Sequence, residues 1–172
     1  MTIADCTYAQ APEILAIFND AILNSTALYD YKPRTMANME TWFSAKRKGK
    51  FPILGAFEDG GALVGFASFG TFRAWPAYKY SIEHSVYVRH DRRRLGLGRL
   101  LVLRLIEEAK KQDYHMMVGG IDSSNTASIR LHQSLGFTHC ASIKHAGYKF
   151  AHWLDLEFYQ LLLPTPDKPV EE

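Results

Sequence analysis

The chain is short of the features that usually announce a role. Only two of its 172 residues are cysteine, Cys6 and Cys140. Without metal-ligand spacing they argue against a disulfide-rich secreted scaffold and against a zinc site. The expectation is two reduced thiols in a cytoplasmic protein. No apolar run approaches the roughly 20 residues of a membrane span. The opening MTIADCTYAQ has no basic stretch followed by an apolar one, so no secretory signal is expected. The net charge is +2, too small to imply a nucleic-acid or membrane partner. There is no repeat and no internal linker. A Walker loop is missing, because no Gly-Lys-Ser/Thr is present, and a dinucleotide fingerprint lacks its third glycine.

What remains is an ordinary globular composition, 47% hydrophobic and 22% charged. It suits one domain over 1–163, followed by a proline-rich, charged and flexible tail over 164–172. Ile14, Ile17, Phe18, Ala21 and Ile22 recur on one helical face, with Pro12 near its first turn. A second helix is predicted over 36–47. Strands are predicted at 2–5, 52–58, 62–72 and 82–88, with a hairpin at Asp59-Gly60-Gly61. Residues 73–80 are irregular and aromatic. A helix over 98–111, a strand over 114–121 and a helix over 125–135 follow, the last stopped by Gly136. Two more strands, broken near 145–150, fill 137–163. The fold class is α/β (α+β): a mixed, mostly antiparallel sheet with one parallel pair across 82–121 and helices on both faces.

One stretch stands out, VYVRHDRRRLGLGRLL. It gathers Arg89, Arg92, Arg93 and Arg94 ahead of Gly96 and Gly98 at the mouth of a helix. Helix N-termini carry unpaired N–H groups and a partial positive charge, so an anion there is held by backbone. Glycines let that backbone come close, and arginines add charge-assisted bonds. The pattern Arg93-x-x-Gly96-x-Gly98 therefore reads as a diphosphate cradle. By itself an R-x-x-G-x-G is a weak signal, equally compatible with an ordinary loop and a basic helix start. Its place between a β-branched strand and an amphipathic helix favours the cradle.

With that turn, Asn125-x-x-Ser128 and Leu135-Gly136-Phe137, the chain resembles the GCN5-related N-acetyltransferases (GNAT). EHSVYV, SIRLHQSLGF, AGYKF and WLDL, in that order, are similar to the phosphinothricin and methionine-sulfoximine acetyltransferase branch. The likeness runs from about residue 10 to 163. It implies the GNAT acyl-CoA N-acyltransferase fold, acetyl-CoA as donor, a small-molecule primary amine as acceptor, and a homodimer. The pyrophosphate of coenzyme A would lie on Arg93, Arg94, Leu95, Gly96, Leu97, Gly98 and Arg99. The pantetheine arm would pair with Val86, Tyr87 and Val88 like an added strand.

Acetyl transfer needs a deprotonated amine, a polarised thioester carbonyl and a stabilised leaving thiolate. The resemblance points to Glu83 as the base, directly or through water. A backbone N–H near Val86 or Tyr87 would polarise the carbonyl. Asn125 or a tyrosine such as Tyr148 would serve the thiolate. Asn125 would cap its helix and also face the pantetheine, and Ser134 touches either the cofactor or only solvent. Arg73 suits an acidic head group, with Trp75, Tyr78 and Tyr80 as walls or as core packing. Strand alternation turns His84 away from Glu83. His132 is expected to pack or be solvated, Cys140 to be inert, and no metal is expected. The expected activity is acetylation of a small amino acid or analogue of the phosphinothricin, methionine sulfoximine or methionine sulfone type. A protein or peptide acetyltransferase and a non-catalytic acyl-CoA sensor are the alternatives. Nucleic acid is not an expected partner, the basic residues being confined to one loop.

Overall fold

The computed structural model describes residues 1–171. In chain order it contains β1 (Thr2–Asp5), α1 (Ala11–Asn24), α2 (Met36–Lys48), β2 (Ile53–Phe57), β3 (Leu63–Thr71), β4 (Ser81–Val88), α3 (Leu97–Lys111), β5 (Met116–Asp122), α4 (Thr126–Ser134), β6 (Thr138–Lys149) and β7 (His152–Leu162). The seven strands form one sheet in the order β1-β2-β3-β4-β5-β7-β6. All neighbours are antiparallel except β4 and β5, the pair joined through α3. A parallel pair needs such a crossover.

Each helix forms for a local reason and is held by burial. In α1 the periodic residues Ile14, Ile17, Phe18, Ala21 and Ile22 are all buried. The first turn of α2 is closed by a capping box, with the Thr35 side chain accepting from the Asn38 N–H and the Asn38 side chain accepting from the Thr35 N–H. On α3 the stripe Leu97, Leu101, Val102, Leu105, Ile106 and Ala109 is buried. Two cores result. One face of the sheet packs on α1 and α2 through Phe18, Met39, Phe43 and Phe66. The other packs on α3 and α4 through Leu101, Leu105, Ile129, Phe137 and their neighbours.

Strand β4 divides its side chains between these cores. Ile82, Val86 and Val88 pack on the α3/α4 side, and Tyr87 packs on the α1/α2 side. Period-two alternation therefore sends Glu83 toward α1 and α2, and His84 toward α4. The ladder between β4 and β5 is short: Ser81, Ile82 and Glu83 pair with Met116, Met117 and Val118. Beyond Glu83, β4 stays paired to β3 as far as Val88, while its β5 side opens. That opening positions the site.

The sequence places one break near 145–150; the structure has two irregularities there. Pairing of β6 with β7 shifts between Ile143 and Gly147, where His145 has φ 51°. The hairpin turn itself is Phe150-Ala151, with φ 51° and 61°. A two-residue hairpin needs left-handed backbone, and neither residue is the glycine or asparagine that would signal it. After β7 the chain returns along β5 and the segment before β4. The Thr165 hydroxyl donates to the Tyr114 carbonyl at 2.6 Å, and the Val170 N–H donates to the Tyr80 hydroxyl at 3.0 Å.

Candidate active site

Two cavities meet along the open side of β4. The first, about 430 Å³, is lined by Glu83, Gly70, Lys46, the Thr26–Tyr29 loop, Gly120 and Asp122. The second, about 780 Å³, is lined by Val86, Tyr87 and Val88, the arginine turn, Asn125, Leu131 and Phe150. Thr26, Ala27, Val86, Tyr87, Asn125 and Ser128 border both, so the two are continuous.

The arginine turn divides its charges. Arg89 is tied to Asp91 at 2.6 Å, and Arg92 is paired with both Glu58 and Asp91. Arg93 and Arg94 line the second cavity and form no salt bridge among the described residues. Arg94 and Gly96 have φ 66° and 76°. The left-handed backbone at Gly96 turns the chain into α3, and a Cβ there would meet open space. Gly98 lines the cavity, whereas Leu97 is buried in the core and Leu95 is 60% exposed. Gly96 and the buried Leu97 can offer backbone only, and Arg99 is exposed outside the cavity lining. An extended ligand arm fits the second cavity, because β4 from Val86 to Val88 has no strand partner on that side.

Glu83 lies where the ladder ends. Solvent reaches it through the cavity, yet the protein around it costs the charged form hydration, and this raises its pKa. The positive charge of Arg73 works in the opposite direction, more weakly. A Cβ on Gly120 would lie 3.3 Å from the Glu83 Oε1, so this glycine leaves room for the carboxylate. Asn125 caps α4, its Oδ1 accepting from the Ser128 N–H at 3.1 Å, and borders both cavities.

Other predicted residues lie elsewhere. Arg73, Trp75 and Tyr78 line a smaller cleft of about 160 Å³ with Phe51 and Tyr114. Trp75 is 72% exposed, and the Tyr80 hydroxyl is engaged with the Val170 backbone. Ser134 is exposed and donates to the Leu131 carbonyl at 2.7 Å. Tyr148, 47% exposed, packs against Trp153. None of these borders the Glu83 cavity.

Several site residues escaped sequence reasoning. The Ser25–Tyr29 loop walls both cavities and is held by Lys149, whose ammonium donates to the carbonyls of Ile22, Ser25 and Leu28 at 2.6, 2.9 and 2.6 Å. His132 is buried rather than solvated, with its Nε2 2.8 Å from the His84 Nε2. The Val118 and Ser128 carbonyls accept from the Nδ1 of His84 and of His132, at 3.0 and 2.8 Å, so while both rings are neutral no proton is left for the contact between their Nε2 atoms. Burial pushes the His84 pKa down to about 3, and also lowers that of His132. Lys46 is the remaining addition. It follows Met39 and Phe43 at helical spacing, which was the available signal. Burial raises the thiol pKa of both cysteines, that of Cys6 to about 12. Among the described residues no group of three or more His, Cys, Asp or Glu is placed to hold a metal ion, and no helix is long and apolar enough to cross a membrane.

Comparison with known proteins places this geometry. The acetyltransferase (GNAT) family matches residues 16–137. An L-methionine sulfoximine/L-methionine sulfone acetyltransferase of Pseudomonas paraeruginosa is 45% identical over 98% of both chains. A phosphinothricin N-acetyltransferase of Streptomyces viridochromogenes is 34% identical over 98% of this chain and 92% of its own. The solved structure of yncA from Salmonella typhimurium, with its cofactor acetyl-CoA, superposes with a TM-score of 0.94 at 42% identity, covering 99% of this chain and 98% of that one. The chain belongs to the GNAT family and is an acetyl-CoA-dependent N-acetyltransferase.

Proposed function

We propose that the protein acetylates the primary amine of a small amino acid or analogue of the methionine sulfoximine, methionine sulfone or phosphinothricin type, by direct transfer with Glu83 as base. The observation that carries this reading is the position of Glu83. It stands at the end of the β4–β5 ladder, in a cavity of about 430 Å³ continuous with the groove along Val86 to Val88. The cavity is sized for a small acceptor rather than an extended peptide. The names of the two curated relatives point to the same acceptor class.

Acetyl-CoA supplies the acetyl thioester. Arg93, Arg94 and the backbone from Leu95 to Arg99 hold its diphosphate, and Val86 to Val88 pair with its arm. The acceptor arrives as an ammonium ion, and Glu83 takes its proton directly or through one water. A carboxyl with a raised pKa is suited to accept it near neutral pH. The amine nitrogen then bonds to the acetyl carbon as the carbon–sulfur bond breaks, and the second proton that the nitrogen sheds on becoming an amide goes to the departing thiolate, which leaves as free coenzyme A thiol. A backbone N–H of Val86 or Tyr87 stabilises the charge gathered on the carbonyl oxygen. Asn125, which borders both cavities, would serve the departing thiolate. Arg73, in the neighbouring cleft with Trp75 and Tyr78, biases Glu83 through its charge. The exposed Tyr148, Phe150 and Trp153 of the β6–β7 hairpin support a homodimer, which light scattering checks.

The test is coenzyme A release from acetyl-CoA with a panel of amines. Turnover on methionine sulfone, methionine sulfoximine or phosphinothricin, with little on a lysine peptide or a polyamine, is expected. Turnover confined to the peptide would replace this reading.

A further inference from the structure

We infer that Lys46 is the anchor for the acceptor's carboxylate, holding an α-amino acid so that its amine faces Glu83. This rests on the amino-acid reading above and adds the residue that selects for it.

Lys46 lies in the last turn of α2 and reaches into the Glu83 cavity. Its ammonium donates one hydrogen bond, to the Phe69 carbonyl at 2.7 Å. The rings of Trp42 and Phe51 flank it, with centroids 5.5 and 5.7 Å away. It forms no salt bridge among the described residues. An ammonium has three donors, and one carbonyl uses one of them. Burial without a compensating anion pushes its pKa down to about 8. A bound carboxylate would supply the missing charge and accept the free N–H groups.

The sheet fixes the direction. Gly70 pairs with Glu83 across β3 and β4, so both residues present the same face. A Cβ on Gly70 would lie 3.4 Å from the Lys46 Nζ. Directly opposed Cβ atoms are about 5 Å apart, which places the ammonium within roughly 9 Å of the Glu83 Cβ on the face Glu83 uses. The missing side chain at Gly70 leaves the space between them open. In an α-amino acid one carbon separates the carboxylate from the amine. A carboxylate on Lys46 therefore directs the amine toward Glu83. Arg73, the cation selected from sequence, lines the other cleft.

The experiment compares two acceptors that differ only in the carboxylate: methionine sulfone and 3-(methylsulfonyl)propylamine. Each is assayed with the wild-type protein, Lys46→Met and Lys46→Arg. Lys46→Met should raise KM for methionine sulfone about 10- to 100-fold, the range for a charge-assisted bond. It should leave kcat/KM for the decarboxylated amine and KM for acetyl-CoA unchanged. Lys46→Arg should restore most of the loss. A loss of equal size on both amines would overturn the inference, because it would mean Lys46 only holds α2 against β3. Wild-type protein that acetylates neither methionine sulfone nor any other amino-acid analogue would overturn the amino-acid reading itself, and the anchor with it.

Discussion

Glu83 and His84 are consecutive on β4 and turn to opposite faces of the sheet. Glu83 enters the open cavity of about 430 Å³ beside α2 and β5, where no side chain of the described residues donates a hydrogen bond to it. His84 is 6% exposed and has a partner at each ring nitrogen, the Val118 carbonyl and His132. Burial moves both pKa values against charge, the carboxyl up and the imidazole down. A shifted pKa alone therefore does not separate Glu83 from His84; the missing partner does. The same contrast separates two lysines. Lys149 satisfies its ammonium on three carbonyls and braces a loop, whereas Lys46 spends one bond and faces a cavity.

The sharpest way to break the comparison is Glu83→Gln. Turnover should fall by about 10²- to 10⁴-fold, the worth of a positioned base, with acetyl-CoA affinity by calorimetry unchanged. Undiminished turnover across pH would remove Glu83 as the base. Lys149→Met comes next. Three carbonyls lose their donor together, so unfolding in urea should show a loss of about 3 kcal/mol, and proteolysis should cut first at the Ser25–Tyr29 loop. A third variant, Gly98→Glu, places a negative side chain in the groove beside Arg93 and Arg94. It should raise KM for acetyl-CoA about 10- to 100-fold, with a thermal midpoint near that of the wild type.

Smaller effects sharpen the contrast through pH. The folded protein holds both imidazoles below the unfolded value of about 6.5. The unfolded chain therefore binds protons that the folded one refuses. Stability is complete above about pH 6.5 and declines as pH falls below it, approaching about 1.4 kcal/mol per pH unit for His84 down to its folded pKa of about 3, with His132 adding a loss of the same sign. His84→Gln should make this decline shallower by one histidine's share in urea titrations between pH 7 and 5. Glu83 has the opposite sign. Its raised folded pKa means stability is lost as pH rises above 4.5 and through that value. At pH 8, Glu83→Gln should then raise the thermal midpoint by about 1–3 °C, a small gain because the group is open to solvent. An unchanged midpoint would mean that solvent in the cavity already hydrates the carboxylate.

Much of this molecule was legible from local chemistry. The helical stripe of α1, the hairpin at Asp59-Gly60-Gly61, the crossover around α3 and the cap at Asn125 each follow from a period or a turn residue. The glycine–arginine turn was legible as a helix start, because a strand, a glycine pair and an apolar period sit in one short stretch, whereas Glu83 was singled out only through the family resemblance. The turn at Phe150-Ala151 was not, since nothing in those side chains asks for left-handed backbone. Nor was the split among the arginines. Arg92 finds Glu58 across 34 residues of sequence, and no local pattern shows which cations are already spoken for.

The sequence by itself determined the elements, their order, the parallel pair and the glycine–arginine turn at the start of α3. These depend on interactions within a few residues and on the periods of helix and strand. Only the tertiary structure decided which groups share the cavity. Lys46 from α2, the loop after α1 and Glu83 from β4 meet because two helices pack on one face of the sheet. Lys149, on β6, secures that loop from more than 120 residues away. Proximity of that kind comes from burying apolar faces together, so the side chains brought along are fixed by packing geometry rather than by their neighbours in the chain.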